Sequence, residues 1–517
     1  MILKHKMADG SYQQKYKMQI DQMEVRIIQR NCAARSRDNC NHHRNGQMIE
    51  DMMKFSLLLL ALLTVTSGEM IQDLTQGILV EDNWSGEGQT VLMTAAKNSE
   101  PDVMASLLLN GSDPTTKDRS GRTALHYAAK GGCVKCVTIL SDAGANLDDK
   151  DYNGYTPAFI AAVDNKVTVL RELIEREANL TLKNYNGPWI MHVAAYRGHV
   201  RVVSMLIDAN LTLDVEDHYN QNKLTALHYA ALGGHSSVVA ILLDHSADPK
   251  ATVLGGWTPL MLASSYGHLN VAKVLIDRGA PLNDINNRRE TALYCAATGG
   301  HAVVVAFLID RGADLKTKTV SGSTPLIAAS SGGYLDVVEM LIDRGASLND
   351  IDNYGSTAAY HAVANGYISV VTMLLNRGAD QRVKSRLGRT LLMKACANGR
   401  LGIVKLLIDR GASLDDKDNY GWTALSHAAN GGHAPVVAML LDQGADLKVK
   451  TVHGVTPLMF ASANGRLDVA KLLVDRGASV NDRDSNGKTA LGWTVISSDE
   501  ESKNDVVDYL RSKGALY

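Results

Sequence analysis

A threonine returns every 33 residues through this chain of 517. It stands at 90, 123 and 156, then at 225, 258, 291, 324, 357, 390, 423, 456 and 489, and Trp189 fills the one empty slot. The step from 189 to 225 is 36, and the others are 33. A fixed period of this length belongs to a stack of small units, none of which buries an apolar face alone. It outweighs chain length, which by itself would divide the protein into several globular domains. Aromatic residues make up only 5% of the chain, with four Phe, so the cores are thin layers of Leu, Ala and Val.

Each unit carries two helical signals. The first begins at the Thr, as in Thr258-Pro259-Leu260-Met261-Leu262-Ala263. Thr is a good N-cap, and Pro at the first helical position sacrifices no hydrogen bond. Small pairs such as Ala128-Ala129 let neighbouring helices approach closely, and Gly131-Gly132 breaks the helix. The second helix places Val238, Val239, Ile241, Leu242 and Leu243 at helical spacing. It ends at sequences such as Arg278-Gly279-Ala280, where Gly supplies a left-handed cap. A turn such as Asp352-Asn353-Tyr354-Gly355 leads to the next unit.

The resulting consensus, Gly-x-Thr-Pro-Leu-His-x-Ala-Ala-x-x-Gly-His-x-x-Val-Val-x-x-Leu-Leu-x-x-Gly-Ala, resembles the ankyrin repeat. The resemblance covers residues 84–517 in thirteen in-phase copies. It implies an all-α solenoid of helix-turn-helix units with projecting finger loops. It also implies a protein partner seated on the concave face made by first helices and fingertips, and no cofactor. Lys223 replaces the finger Gly before Thr225 in a finger three residues longer, so a break is expected near 208–225. The last unit has extra residues around 497–503 and a polar second helix with Asp505, Asp508, Arg511 and Lys513, which suits a terminal cap.

From 225 onward two flavours of unit alternate, giving a true period of 66. Fingers alternate in charge: Lys316/Lys318, Arg382/Lys384/Arg386 and Lys448/Lys450 against Asp284, Asp350/Asp352, Asp415/Asp416/Asp418 and Asp482/Asp484. Two readings stand. Neighbouring fingers neutralise one another, each exposed pair contributing ~0–1 kcal/mol, or the stripes match a periodic partner. Net charge is only −2, so no global basic field argues for nucleic acid.

Contact positions carried over from the family fall on fingers and on the exposed first-helix position four residues after the Thr. The finger candidates are Tyr155, Trp257, Arg288, Arg289, Tyr354, Arg386, Tyr420 and Trp422. The first-helix candidates are Tyr127, Tyr229, His361, Lys394, His427, Phe460 and Trp493. Tyr, Trp and Arg are the residues enriched at binding hot spots.

Other groups imitate chemistry without supplying it. Six Cys do not make a disulfide framework. Cys133-x-x-Cys136 lacks a second ligand pair, and Cys133 occupies the inter-helix slot that holds His235, His301 and His433 elsewhere. A packing role is expected for it, and equally for Cys295 and Cys396. Cys32, Cys40, His42 and His43 fit no usual zinc spacing. No phosphate loop or nucleophile elbow is present. The sequence therefore predicts no catalytic and no metal site.

The N-terminal region is different in kind. Residues 1–51 are polar, and through residue 54 ten Lys/Arg stand against six Asp/Glu, a net +4. Residues 52–68 hold an apolar core over 55–67 too short for a membrane span, which needs ~20 residues. A cationic start, a short apolar run and small residues at its end give the form of a signal peptide. Two expectations follow, with 69–83 a linker in both. Translation starting at Met52 or Met53 makes the protein secreted or luminal. Otherwise the chain is cytoplasmic or membrane-anchored, with membrane contact only through 55–67. Sequons at Asn83, Asn110, Asn179 and Asn210 would be glycosylated on the secretory route.

Overall fold

The computed structural model of the chain describes residues 88–185, 189–215, 223–494 and 501–517. The chain divides into two units, Met1–Trp84 and Ser85–Tyr517, and the described residues all belong to the second. They form 26 helices and no strand, a first and a second helix in each of thirteen repeats. The solenoid expected from the period is the fold.

A repeat is built from its caps outward. Thr258 is extended, with φ −94° and ψ 161°, and its Oγ1 accepts the Met261 N–H at 3.2 Å. The same cap opens Pro325–Gly332 and Pro457–Ala463, where Pro at the first position keeps the turn pre-set. Three repeats add a histidine to the cap. His126, His192 and His228 each take the backbone N–H of the capping residue on Nδ1, and each Nε2 meets a carbonyl of the following finger, Tyr155, Val215 or Ala251, at 2.9–3.1 Å. One imidazole therefore ties a helix start to the next unit. At Trp189, which has no hydroxyl, His192 performs this task for the first helix Ile190–Tyr196.

Second helices bury a narrow stripe. In Ser236–Asp244 it is Val238, Val239 and Leu242, all fully buried. Equivalent triplets recur as Val304, Val305 and Leu308, or Val436, Val437 and Leu440. Each such side chain contributes about 1.5–3 kcal/mol by leaving water. First helices are buried on nearly every side by alanines, because neighbours pack on both flanks.

Three further stitches join consecutive repeats. The inter-helix His reaches back to a carbonyl of the preceding turn: His199 to Val163, His235 to Tyr196, His268 to Leu232, His301 to Ser265 and His433 to Ala397, all at 2.8–3.1 Å. The histidines of this turn thus serve structure. An Arg closing one second helix clasps the Asp closing the one before, as in Arg311–Asp277 at 2.8 Å and Arg476–Asp442 at 2.7 Å, and likewise Arg344–Asp310 and Arg377–Asp343. Finally, each fingertip N–H donates to the preceding fingertip carbonyl: Val320 to Arg288, Asn353 to Ser321, Arg386 to Tyr354 and Asn419 to Leu387.

The finger glycine is needed at this ladder. Gly355 has φ +73°, and a Cβ there would stand 2.8 Å from the Arg386 nitrogen. Lys223 and Arg289 occupy the same place with φ 58° and 59°. Lys223 thus keeps the left-handed turn that glycine holds in most other fingers. Across this joint His235 still bonds Tyr196, and Tyr229 packs against the rings of His192 and Tyr196. The three-residue insertion falls in a finger whose residues 216–222 lie outside the described ones.

The cysteines depart from expectation at one point. Cys133 and Cys136 form a disulfide, because the capping residue and the third residue of Val134–Asp142 share a face, with Cα atoms 5.2 Å apart. Cys295 and Cys396 are free and buried, and burial pushes both thiols up.

Candidate protein-binding surface

The fingers are organised around one carboxylate. Asp418 Oδ1 accepts the N–H groups of Tyr420 and Trp422, both at 2.9 Å, closing the turn. Its Oδ2 lies 3.0 Å from His427 Nε2, nine residues on, in the first helix Ala424–Gly431. The pattern repeats with Tyr, His or Trp as the partner. Tyr127 Oη donates to Asp118 at 2.6 Å, His361 Nε2 lies 2.8 Å from Asp352, and Trp493 Nε1 donates to Asp484 at 2.9 Å. Where the carboxylate is absent, Asn286, Thr319 or Thr451 closes the turn and carries no such side chain. This link escaped the sequence reading. Its signal is an Asp nine residues before a Tyr, His or Trp.

Three first-helix candidates consequently offer less surface than expected. Tyr127, His427 and Phe460 are buried, at 7%, 3% and 6% exposure. Tyr127 is held from two sides, since it also accepts from Gln89 Nε2 at 2.8 Å. His427 lies under Trp422, and Phe460 sits 4.0 Å from the same indole. Tyr229, His361, Lys394 and Trp493 are half-buried. Lys394 lies 5.9 Å over the Tyr360 ring.

The finger candidates separate into two sets. Arg288, Arg289, Tyr354, Arg386 and Tyr420 are exposed at the tips. Tyr354 is 70% exposed and Tyr420 51%, and Arg289 Nε donates to the Lys318 carbonyl at 3.3 Å. Tyr155, Trp257 and Trp422 stand at the finger base, half-buried against the helices. Tyr155 stacks on Phe159 at 4.8 Å.

Charge along the fingers is neutralised in one direction. Lys117, Lys318, Lys384 and Lys450 each pair with an Asp of the following finger, Asp149, Asp350, Asp416 and Asp482, at 3.2–3.8 Å. These are partly exposed pairs, each contributing ~0–1 kcal/mol. One basic group stands apart. Burial lowers the Lys394 ammonium pKa, and the Arg389 charge lowers it further. Arg389, at the base of its finger, was not singled out by sequence, although it aligns with Trp257 and Trp422.

Family models for ankyrin repeats, in blocks of three copies, match overlapping stretches that run from residue 58 to 517. The chain is an ankyrin-repeat protein. Among solved structures, the ankyrin repeat domain of human ASB11 is 29% identical; the match covers 43% of this chain and 99% of that one, with a TM-score of 0.40. A comparison with curated proteins gives no match. Ankyrin arrays mediate protein–protein interaction, so a protein-interaction scaffold is indicated.

Among the described residues of this ankyrin-repeat protein, no group of three His, Cys, Asp or Glu is placed to hold a metal ion. No described helix is long and apolar enough to cross a membrane. Cys32, Cys40, His42, His43, the apolar segment 55–67 and the Asn83 sequon lie outside the described residues. Asn110, Asn179 and Asn210 are exposed, all on loops that follow second helices.

Proposed function

We propose that this protein is a non-enzymatic scaffold that holds a protein partner on the face made by its first helices and finger bases. One contrast carries this reading. The Arg–Asp clasp and the fingertip ladder repeat their chemistry along the array, whereas the position four residues after the Thr does not. It is Ile160, Tyr229, Ala328, Lys394 and Trp493 in five of the units. Stacking requires sameness at the interfaces, so variation here is available to a partner. The half-buried Trp257 and Trp422 have the size and rigidity of interface anchors.

The test uses the intact chain as bait in extracts of its own cells, with chemical cross-linking and mass spectrometry. Cross-links should fall on fingers and first helices. The double variant Trp257→Ala/Trp422→Ala should lose the partner and keep its helicity. Cross-links confined to second helices would refute the reading.

A second reading, an exported effector acting on host or cell-surface proteins, is favoured by two observations. Cys133 and Cys136 are joined, and disulfides persist in oxidising compartments. Three sequons, at Asn110, Asn179 and Asn210, are exposed. Mass spectrometry of cell and medium fractions decides: sugar on these asparagines in secreted material supports export, and unmodified protein held in the cytosol removes it.

A further inference from the structure

We propose that the surface spanning the first helices Ala358–Asn365 to Ala490–Trp493 is the partner's main anchorage, taking an extended segment with a carboxylate on Lys394 and a large apolar side chain against Trp422. The inference rests on the scaffold reading above and adds the chemistry of the partner.

This face carries a cluster of basic groups short of carboxylates. Arg389, Lys394 and His427 lie close enough that the Arg389 charge acts on both of the others, and Lys394 acts on His427. One carboxylate, Asp418, lies among them, and it is already engaged. Its Oδ1 holds two backbone N–H groups, and its Oδ2 faces His427 at 3.0 Å and Arg389 Nε at 3.5 Å. Arg389 Nε is buried and makes no hydrogen bond. The next carboxylate along the face, Asp352, is taken by His361 and by two N–H groups of its own turn. Among the described residues no carboxylate lies within 4 Å of the Lys394 ammonium, which sits over the Tyr360 ring. A half-buried cation without a counter-ion is costly, and a carboxylate from outside relieves that cost.

An aromatic wall begins one repeat further on. Trp422 packs on Phe460 at 4.0 Å, and Phe460 on Trp493 at 6.3 Å. The two indoles remain half-exposed above the buried phenyl ring. Packed helices lie about 8–10 Å apart, and an extended chain advances about 3.3 Å per residue. A carboxylate over Lys394 and an apolar group over Trp422 or Phe460 therefore come from positions about three to six residues apart. A basic segment is disfavoured here by Arg389 and Lys394. The occupant to which the charge points is an acidic stretch of another protein that carries an aromatic or long aliphatic side chain.

The test pans a phage-displayed random peptide library on the intact protein. Enriched peptides are then titrated, fluorescein-labelled, by anisotropy. Selected sequences should place Asp or Glu three to six residues from Trp, Phe or Leu. Changing that acid to its amide, or Lys394→Met in the protein, should weaken binding about tenfold each, and the two together little more than either alone. Circular dichroism of the Lys394→Met variant should match the parent. The inference is overturned by no enrichment, by peptides lacking an acid, or by binding indifferent to Lys394→Met. Protection from hydrogen exchange on other first helices would in that case leave the scaffold reading intact, and protection on second helices would remove both. Tighter binding of oligothymidylate at Lys394 would also overturn it, since the groove would then serve phosphate.

Discussion

Lowering the pH should loosen this array at a specific place, the first helix of the fifth repeat, Ala226–Gly233. His228 is fully buried, and burial lowers its pKa from 6.5 to about 4. Its Nδ1 accepts from the Thr225 N–H at 3.3 Å, so the ring proton must sit on Nε2, which donates to the Ala251 carbonyl at 3.1 Å. A second proton is disfavoured chiefly because the ring is buried from water; an Nδ1–H would also face the Thr225 N–H, with the Thr225 Oγ1 at 2.8 Å as its acceptor. The sign follows. Between pH 6.5 and about 4 the unfolded repeat binds a proton that the folded one refuses, so stability falls as pH falls through that window. From pH 7 to pH 5 the loss is about 2 kcal/mol, about 20- to 30-fold in the opening equilibrium. Array unfolding is not two-state, so the assay is hydrogen exchange read peptide by peptide, corrected for intrinsic rates. Residues 226–233 should lose that protection, while Pro325–Gly332, whose repeat contains no histidine, should not. His228→Gln should flatten the pH response at reduced stability. Equal loss in both helices, or an unchanged response in the variant, would refute the reasoning.

Three more expectations are sharp enough to check. Gly300→Ala should cost well over the ~1 kcal/mol of a left-handed alanine, because its Cβ would meet the Tyr334 ring at 2.4 Å, whereas Gly312→Ala meets open space; thermal melts separate them. Asp484→Ala should unpin Trp493 and release the Asn486 and Lys488 N–H groups, costing about 1–3 kcal/mol, readable as loss of protection near the C-terminus. Arg311→Ala should change stability by under about 1 kcal/mol, since both partners of its clasp with Asp277 are around half exposed.

The stack was legible because its causes are local and repeated thirteen times. Thr caps, alanine pairs and Val-Val-x-x-Leu stripes each specify a helix edge or a buried face without long-range information. The surface was less legible. Position four after the Thr looked exposed from family analogy, yet Tyr127, His427 and Phe460 are drawn inward by contacts with Asp118, Asp418 and Trp422. Those contacts depend on how far a finger leans over its own helix, which no periodicity records. At Lys223 the sequence shows a missing glycine, whereas the backbone keeps φ 58° where the finger ladder requires it; the inserted residues of that finger lie outside the described ones. The Cys133–Cys136 bond was missed because two cysteines in 33-residue units look like substitutions at packing slots.

The one-directional pairing of fingers has a consequence for how such a gene changes length. Lys318 reaches forward to Asp350, and Lys384 to Asp416. Excising 66 residues between them would bring Lys318 beside Asp416, the same Lys–Asp pairing as the one removed. Excising 33 would bring it beside the Lys384 finger and oppose like charges. The heritable module is thus a pair of repeats. The array should grow and shrink in even steps, moving its varied contact positions nearer to or further from one another by two repeats at a time.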